Sequence, residues 1–310
     1  YTDLSSGNKV PNAYYSKALL TMLMLNDFVF DKYGITKPMP KNYGKTINFR
    51  RYNKLTPKTT PLTEGVLPDS DTASGTAITA SINQYGAYMI FSDLSGELLF
   101  DDVMKEYVVA QAQQASHTLD NVIKTELETN GSPSFASGTS YATMVVTGGA
   151  SKPTILHFRK AALTMSNNFI KTHEKGGGRY VALVDDAVMF DLQDDPYVQK
   201  YMQYGMTNKP MVENWIADMY SIRFIRNPNP SVSTQTLADS ASHTVHNSYV
   251  LGAEAYAITK LADGGVQVYT KGFGSAGTLD PINQKATIGW KINGFKKFAS
   301  LVWGDYYSSK

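Results

Sequence analysis

Residues 101–129 read DDVMKEYVVAQAQQASHTLDNVIKTELET, and apolar side chains recur along them at steps of three and four residues. This spacing predicts an amphipathic helix. Asp101 is a suitable N-cap, and Asn130 followed by Gly131 is a suitable stop. At 1.5 Å per residue the helix would be roughly 40 Å long, well above the average. We interpret it as the spine of the subunit, with the apolar positions Val103, Tyr107, Val108, Ala112, Ala115, Leu119, Val122, Ile123 and Leu127.

Two strand-like runs precede the spine. Residues 45–50 alternate polar and apolar side chains, and residues 77–91 place Ile78, Ala80 and Ile82 on one face. More than twenty residues rich in Thr, Pro, Ser and Asp separate the two runs. Connections of about this length are uncommon inside a compact domain and usually form functional projections or disordered segments. The sequence therefore predicts a long two-stranded ribbon that reaches out of the subunit.

The N-terminal segment has the pattern of an arm. Apolar residues between positions 13 and 33 are spaced for a helix, which Gly34 would end. The polar dozen residues before it have no obvious core of their own. They carry neither the basic nor the apolar region of a signal peptide, so we expect a soluble chain without an export signal.

The C-terminal half has an α/β pattern. It predicts a helix over residues 152–172, a glycine turn at 176–178, a buried strand at 180–184 and a short helix from Asp186. Residues 132–152 and 231–242 have the composition of surface loops. No internal repeat interrupts what we interpret as one intertwined α+β subunit. Further strands are predicted at residues 219–225, 248–258, 267–269 and 287–292.

Composition excludes several classes of protein. The 310 residues are 42% hydrophobic, and length alone allows about two domains. Lys and Arg number 29 against 27 Asp and Glu, a balance that excludes wholesale coating of nucleic acid. Without cysteine there is no disulfide framework, thiolate zinc site or Cys nucleophile. No run of about 18 apolar residues predicts a membrane span.

One motif points to a nucleotide. Residues 272–277 match G-x-G-x-x-G and follow a predicted strand. A dinucleotide site needs a helix N-terminus directly after the glycines, to present N–H groups to a pyrophosphate. Pro281 disfavours helix at Asp280, and no helical pattern opens there. We interpret the motif as a flexible turn and predict no cofactor.

Other candidate chemistry is sparse. His243 and His246 could face the same way on a helix, but no carboxylate lies near them at metal-ligand spacing. Paired carboxylates, of the kind a glycosidase uses, occur at 101–102, 185–186 and 194–195. The first two pairs begin predicted helices, where acidic side chains cap N–H groups. We predict a protein that is not an enzyme, with a nucleotide-binding or carbohydrate-active enzyme as the alternative.

Charge is separated by sign along the ribbon. Such a separation is typical of a part that docks on a neighbour, because complementary charge sets register. The alternative is ordinary solvated charge, since isolated surface pairs contribute little. Our inter-subunit contact hypothesis names the basic residues Arg50, Arg51, Lys54 and Lys58 before the tip, and the acidic residues Glu64, Asp69 and Asp71 at or after it.

Six ordered segments resemble the major capsid protein family of tailed bacteriophages typified by the podophage N-four. Together they span most of the chain, and their combination is more specific than any single one. Residues 132–250 match the family less well. The segments are 37–50 (KPMPKNYGKTINFR), 60–66 (TPLTEGV), 84–88 (QYGAY), 92–94 (SDL), 273–277 (FGSAG) and 280–291 (DPINQKATIGWK).

The resemblance implies an α+β Hong Kong 97-like capsid fold. Its parts would be an N-terminal arm, an extended β-ribbon loop, a peripheral domain with a long spine helix, and an axial domain around the symmetry axes. The corresponding ranges are 1–40 for the arm, 41–93 for the extended loop, 94–150 with 265–310 for the peripheral domain, and 151–264 for the axial domain.

The resemblance also implies the function. Copies would assemble into pentamers and hexamers of an icosahedral head, built in the bacterial cytoplasm around double-stranded DNA held by weak, non-specific contact. Portal, decoration and scaffold proteins are the other expected partners, with no membrane. No Lys–Asn crosslinking pair is identifiable, so we predict noncovalent assembly. A tail-tube or surface-layer subunit, a third reading, would be mostly β and lack the long helix.

Overall fold

The computed structural model describes residues 29–39, 42, 44, 46–52, 55–93, 103–135, 137–144, 152–205, 218–229, 231–261, 266–275, 281–296 and 305–309. The predicted helix over 13–33 and the cap at Asp101 fall largely or wholly outside them. The helices are α1 (Phe30–Tyr33), α2 (Val103–Asn130), α3 (Ile155–Asn167), α4 (Asp186–Gln193) and α5 (Pro196–Gly205), with 3-10 turns at Tyr141–Thr143 and Glu174–Gly176. The strands are β1 (Ile35–Met39), β2 (Thr46–Tyr52), β3 (Gly75–Ser92), β4 (Ser132–Phe135), β5 (Tyr180–Val184), β6 (Ile222–Arg226), β7 (Val232–Thr236), β8 (Ser242–Leu251), β9 (Ala257–Leu261), β10 (Val266–Lys271), β11 (Lys285–Lys296) and β12 (Asp305–Ser309).

Helix α2 is the predicted spine, and it packs on a four-stranded antiparallel sheet of order β10-β11-β3-β2. Its buried stripe contains Val108, Ala112, Leu119, Ile123 and Leu127, as the spacing predicts. These side chains share one core with the inward faces of β3 and β11. The spine helix is therefore amphipathic because one face is core and the other is surface.

Polar bonds fix the register of the spine on the sheet. The buried Gln111 amide donates to the Ile288 carbonyl at 2.9 Å, and Trp290 Nε1 donates to Gln114 Oε1 at 3.4 Å. A sliding helix would leave the Gln111 amide unpaired inside the core, which costs free energy.

A second sheet has the order β4-β12-β8-β5-β6, with β7 paired to β8. All five residues of β5 are buried. Val181 and Leu183 face the core shared with α2, while Tyr180, Ala182 and Val184 face α3, α4 and α5. This two-sided burial explains why β5 is a continuous apolar run in the sequence.

Most predicted elements are confirmed. The spine, the two ribbon strands, the buried strand, the helix from Asp186 and the glycine turn lie where the pattern puts them. Gly177 and Gly178 have φ of 62° and 81°, which explains the glycines of that turn. The predicted strands at 219–225, 267–269 and 287–292 are present with bounds that differ by several residues at some ends.

Three predictions for the C-terminal half are wrong. Residues 248–258 are not one strand but the end of β8 and the start of β9, separated by a turn in which Glu254 has φ of 56°. Residues 231–242 are not a loop, because β7 pairs with β8 as a hairpin. The segment 132–152, predicted as a loop or weak hairpin, supplies β4, which pairs with β12 in parallel.

Candidate assembly surfaces

The ribbon is formed by β2 and the first part of β3, paired from Thr46 opposite Ser81 to Tyr52 opposite Gly75. A cross-strand bond from Thr79 Oγ1 to Asn48 Oδ1, 2.8 Å long, supports the pairing. The second part of β3 continues into the four-stranded sheet beside β11. A single 18-residue strand therefore joins the ribbon to the body of the subunit.

Residues 55–74 at the far end of the ribbon, which we call the tip loop, form no helix or strand and are exposed throughout. The tip loop carries large apolar side chains that face solvent, with Leu62 76% exposed and Leu67 93% exposed. Leu55 and Val66 are also more than half exposed. Several large exposed apolar side chains within one short loop are typical of an interaction site.

The structure brings together three of the charged residues in the contact hypothesis. Lys58 Nζ lies 3.1 Å from Asp71 Oδ1 and donates to the Asp69 carbonyl at 3.0 Å. Glu64 lies in the turn of the tip loop, where Val66 N donates to the Thr63 carbonyl at 3.2 Å.

Two of the remaining three lie in the ribbon strand and not in the tip loop. Arg50 and Arg51 are placed in β2, opposite Ala77 and Thr76, and Lys54 lies outside the described residues. The inter-subunit role of all seven residues stays a prediction.

A groove with a volume of about 430 Å³ lies on the face of the four-stranded sheet that turns away from α2. Gly289 of β11 is paired with Tyr88 of β3 on one side and Tyr269 of β10 on the other. Because Gly289 has no side chain, a gap lies between the two tyrosines that flank it on the neighbouring strands. Of these, Tyr88 is 70% exposed. We call this feature the tyrosine groove.

The tyrosine groove is basic and aromatic. Lys271 and Lys291 line it, together with Gln84 and Thr287, and none of its lining residues is acidic. A second glycine, Gly86, lies opposite Lys291, and a Cβ there would meet the Trp290 carbonyl oxygen at 2.7 Å. The groove thus suits an extended segment with apolar and acidic side chains.

The groove and the tip loop of one chain lie far apart. Thirteen residues of β3 separate Gly75 from Tyr88, or about 43 Å at the rise of a strand. The eight residues from Leu67 to Gly75 span at most about 29 Å when fully extended. No residue of the tip loop lines the groove of its own chain.

Residues 272–275 of the glycine motif follow β10 directly and form a turn. Ser275 N donates to the Gly272 carbonyl at 3.2 Å, and Gly274 has φ of 81°. Residues 281–284 form a turn that leads into β11, so the part of this connection that the structure describes contains no helix to bind a pyrophosphate.

The histidines do not share a face as they could on a helix. Both lie on strand β8, where residues three apart point to opposite faces. His243 Nε2 contacts Asp239 Oδ2 at 2.6 Å, and His246 Nδ1 contacts the buried Asp185. The bond with His243 lowers the pKa of Asp239. In the described ranges no three His, Asp or Glu side chains gather to hold a metal ion.

Three carboxylates of the pairs at 185–186 and 194–195 have structural roles, and the pair at 101–102 lies outside the described residues. Asp185 caps α4 by accepting from Val188 N at 3.0 Å, as predicted. Asp186 pairs with Arg226 at 2.5 Å and 2.6 Å, which lowers the pKa of Asp186. Asp195 accepts from the backbone N–H groups of Ile155 and Tyr197 at 2.9 Å each.

No helix in the described part of the chain has both the length and the apolar character needed to cross a membrane. No family model matches the sequence, and no curated protein matches it either. Solved structures do match. The capsid structure of the cyanophage P-SCSP1u superposes with a TM-score of 0.66 at 12% identity, over 91% of this chain and 88% of that one.

This chain has the phage capsid fold. The capsid of Ralstonia phage GP4 matches with a TM-score of 0.65 at 10% identity, over 92% of each chain. The capsid subunit of cyanophage Pam1 matches with a TM-score of 0.64 at 13% identity, over 92% of this chain and 93% of that one. The predicted α+β capsid fold is confirmed, and the long spine helix is part of it.

Sequence reasoning missed the tyrosine groove. The signal that could have found it is the two-residue alternation of Gln84, Gly86, Tyr88 and Ile90, which places a tyrosine and a glycine on the exposed face of a half-buried strand. Its neighbours Gly289 and Tyr269 are some 200 and 180 residues away, and only the pairing of the strands brings them together.

Proposed function

We propose that this chain is a major capsid protein, a structural subunit that assembles into the pentamers and hexamers of an icosahedral phage head enclosing DNA, and that it is not an enzyme. One observation carries the proposal: the chain has a capsid fold over about nine tenths of its length, and its tip loop exposes apolar side chains that no residue of the described ranges covers. The chain would be assembled into shells in the bacterial cytoplasm and would be located in the capsid of the virion.

The geometry suggests how copies join. The tip loop presents Leu62, Val66 and Leu67 with the acidic Glu64 and Asp69, while the tyrosine groove presents aromatic rings and lysines. The charges of the two surfaces are complementary, and no tip-loop residue of the same chain lines the groove. The tip loop of one copy therefore docks in the groove of the next.

Such a contact joins two different surfaces of the same subunit. A head-to-tail contact of this kind closes into a ring when the rotation between copies allows it. Repeated contacts around closed rings then stabilise a shell through multivalency, although each contact is weak. The charged set Arg50, Arg51, Lys54, Lys58, Glu64, Asp69 and Asp71 would set the register of neighbours.

The proposal also assigns a structural role to each part of the chain. Residues 1–40 act as the arm, 41–93 as the extended loop, 94–150 with 265–310 as the peripheral domain, and 151–264 as the axial domain. Portal, decoration and scaffold proteins are further partners. Contact with DNA is weak and salt-sensitive, because the chain is close to neutral. Assembly is noncovalent.

The test is electron microscopy of the full chain, expressed with its native partners if it does not assemble alone, beside a variant that lacks Thr60–Ala73. We expect capsomer rings or closed shells from the full chain and only soluble subunits from the deletion, with the same melting temperature. Normal shells from the deletion would contradict the docking mechanism. A full chain that forms neither rings nor shells with its partners would contradict the capsid role itself.

A further inference from the structure

A fully buried carboxyl group lies where the N-terminal segment enters the body of the subunit. Asp120 is on the inner face of α2 and is 0% exposed. Its Oδ1 accepts from the backbone N–H of Phe30 at 3.3 Å, and Phe30 begins α1. Its Oδ2 is buried, and no hydrogen bond reaches it from the described residues. A carboxylate in this position is desolvated and only half satisfied.

Helix α1 is the root of the N-terminal segment, and several elements hold it. The Phe30 ring is fully buried and meets Tyr249 edge-on at 5.2 Å. The Tyr256 hydroxyl donates to the Phe30 carbonyl. At the other end of α1, His173 Nε2 lies 2.9 Å from the Tyr33 carbonyl oxygen, and Lys175 donates to the Lys32 carbonyl.

Burial and Asp31 favour the neutral form of Asp120, whereas the backbone N–H groups of Phe30 and Val29 and the Asn229 side chain favour its charged form, and burial has the largest effect. Asp31 on α1 adds a like charge, the Tyr256 hydroxyl approaches from the turn before β9, and Asn229 contributes only a neutral amide. Burial raises the pKa of Asp120 to about 7, although the Phe30 amide and the Asn229 side chain favour the charged form. No basic side chain in the described ranges contributes to this pKa. Burial, with smaller contributions from Asp120 and Asp31, raises the pKa of Tyr256 well above its usual value, so the hydroxyl keeps its proton.

We infer that Asp120 is an acid–base latch: its protonated carboxyl holds the root of the N-terminal segment on the spine helix, and ionisation loosens that root. The released proton goes to bulk water. The inference concerns the single chain and does not depend on the proposed shell. It predicts a segment that is firmly held below neutral pH and more mobile above it.

The direction of the pH effect follows from the linkage between proton binding at Asp120 and opening of the root. The open root exposes Asp120 to water, where it ionises near its ordinary pKa, so the closed state binds more protons between about pH 4 and pH 7. Raising the pH through this window therefore favours opening, and the effect levels off above pH 7.

The test is hydrogen–deuterium exchange of the full chain, with peptides that cover residues 29–35 and with rates corrected for intrinsic exchange. Opening should rise at least about tenfold from pH 5 to pH 8. In Asp120→Asn, which mimics the neutral carboxyl, opening should stay low and independent of pH. Asp195→Asn is the matched control, because this buried carboxyl also caps backbone N–H groups but lies far from α1.

The exchange profiles of the wild type and of Asp120→Asn together decide whether Asp120 is the latch. A pH-independent wild-type profile would overturn the latch, and so would a rise that persists in Asp120→Asn. An increase on acidification would also overturn it. If Asp120→Asn does not fold, the wild-type profile still decides, and Asp31→Asn should shift its midpoint to lower pH by removing the neighbouring charge.

Discussion

Two regions of the subunit are rich in apolar side chains: the tip loop, and the helical layer that α3, α4 and α5 form over β5. They differ in whether those side chains are buried within the chain. In the layer, Phe158 of α3 and Phe224 of β6 are fully buried and meet edge-on at 5.2 Å. In the tip loop, Leu67 is 93% exposed. The layer is buried within one chain, whereas the loop has apolar surface that no residue in the described part of the chain covers. The same residue chemistry serves folding in one region and, in our proposal, association in the other.

The largest expected effect is in the layer. Phe158→Ala should lower the free energy of unfolding by about 3–5 kcal/mol, because it removes a buried ring and leaves a cavity. Chemical denaturation of the subunit measures it. A loss of unfolding free energy below about 1 kcal/mol would mean that the side chains of the layer collapse into the cavity. The layer would then not be rigidly packed, and its contrast with the tip loop would be weaker.

The tip loop should respond in the opposite way. Leu67→Asp should change subunit stability by less than about 0.5 kcal/mol, since the side chain is exposed, but should reduce shell formation severely. The matched variant on the receiving side is Lys271→Glu in the tyrosine groove, which should impair assembly without destabilising the subunit. Denaturation and electron microscopy of both variants separate the two effects. Wild-type assembly by both would contradict the docking of loop in groove.

The smallest effect is expected within the loop itself. Lys58→Ala removes the ion pair with Asp71, and both side chains are substantially exposed. Such pairs contribute about 0–1 kcal/mol, and the contribution falls with added salt. Denaturation at low and high salt measures the difference. A larger, salt-independent loss would show that the loop is ordered within the single chain and would weaken the contrast with the layer.

The elements that could be predicted from the sequence have a strong local pattern. The spine repeats at helical spacing over 28 residues, and β5 is apolar throughout because it is covered on both faces. The charges of the ribbon could also be listed, although the ion pair of Lys58 with Asp71 depends on the path of the loop.

The errors fall where distant segments decide the structure. Strand β7 is polar at most positions and is a strand because β8 is beside it. The chain breaks between β8 and β9 because the two strands belong to different sheets. Strand β8 lies in the second sheet, whereas β9 pairs with β1. The tyrosine groove needs three strands whose pairing spans about 200 residues. None of these has a local signal that could outweigh the context.

The position of β12 has a consequence for synthesis. This strand, Asp305–Ser309, inserts between β4 and β8, so β4 has no sheet to join until about 170 later residues have been made. At typical translation speeds that interval lasts roughly 10 to 30 s. In the last part of it, over the about 54 residues from the end of β8 to the start of β12, the edge of β8 that later receives β12 is open, and an open edge is a template for pairing with another chain. The nascent subunit thus passes through a stage in which premature association competes with its own completion.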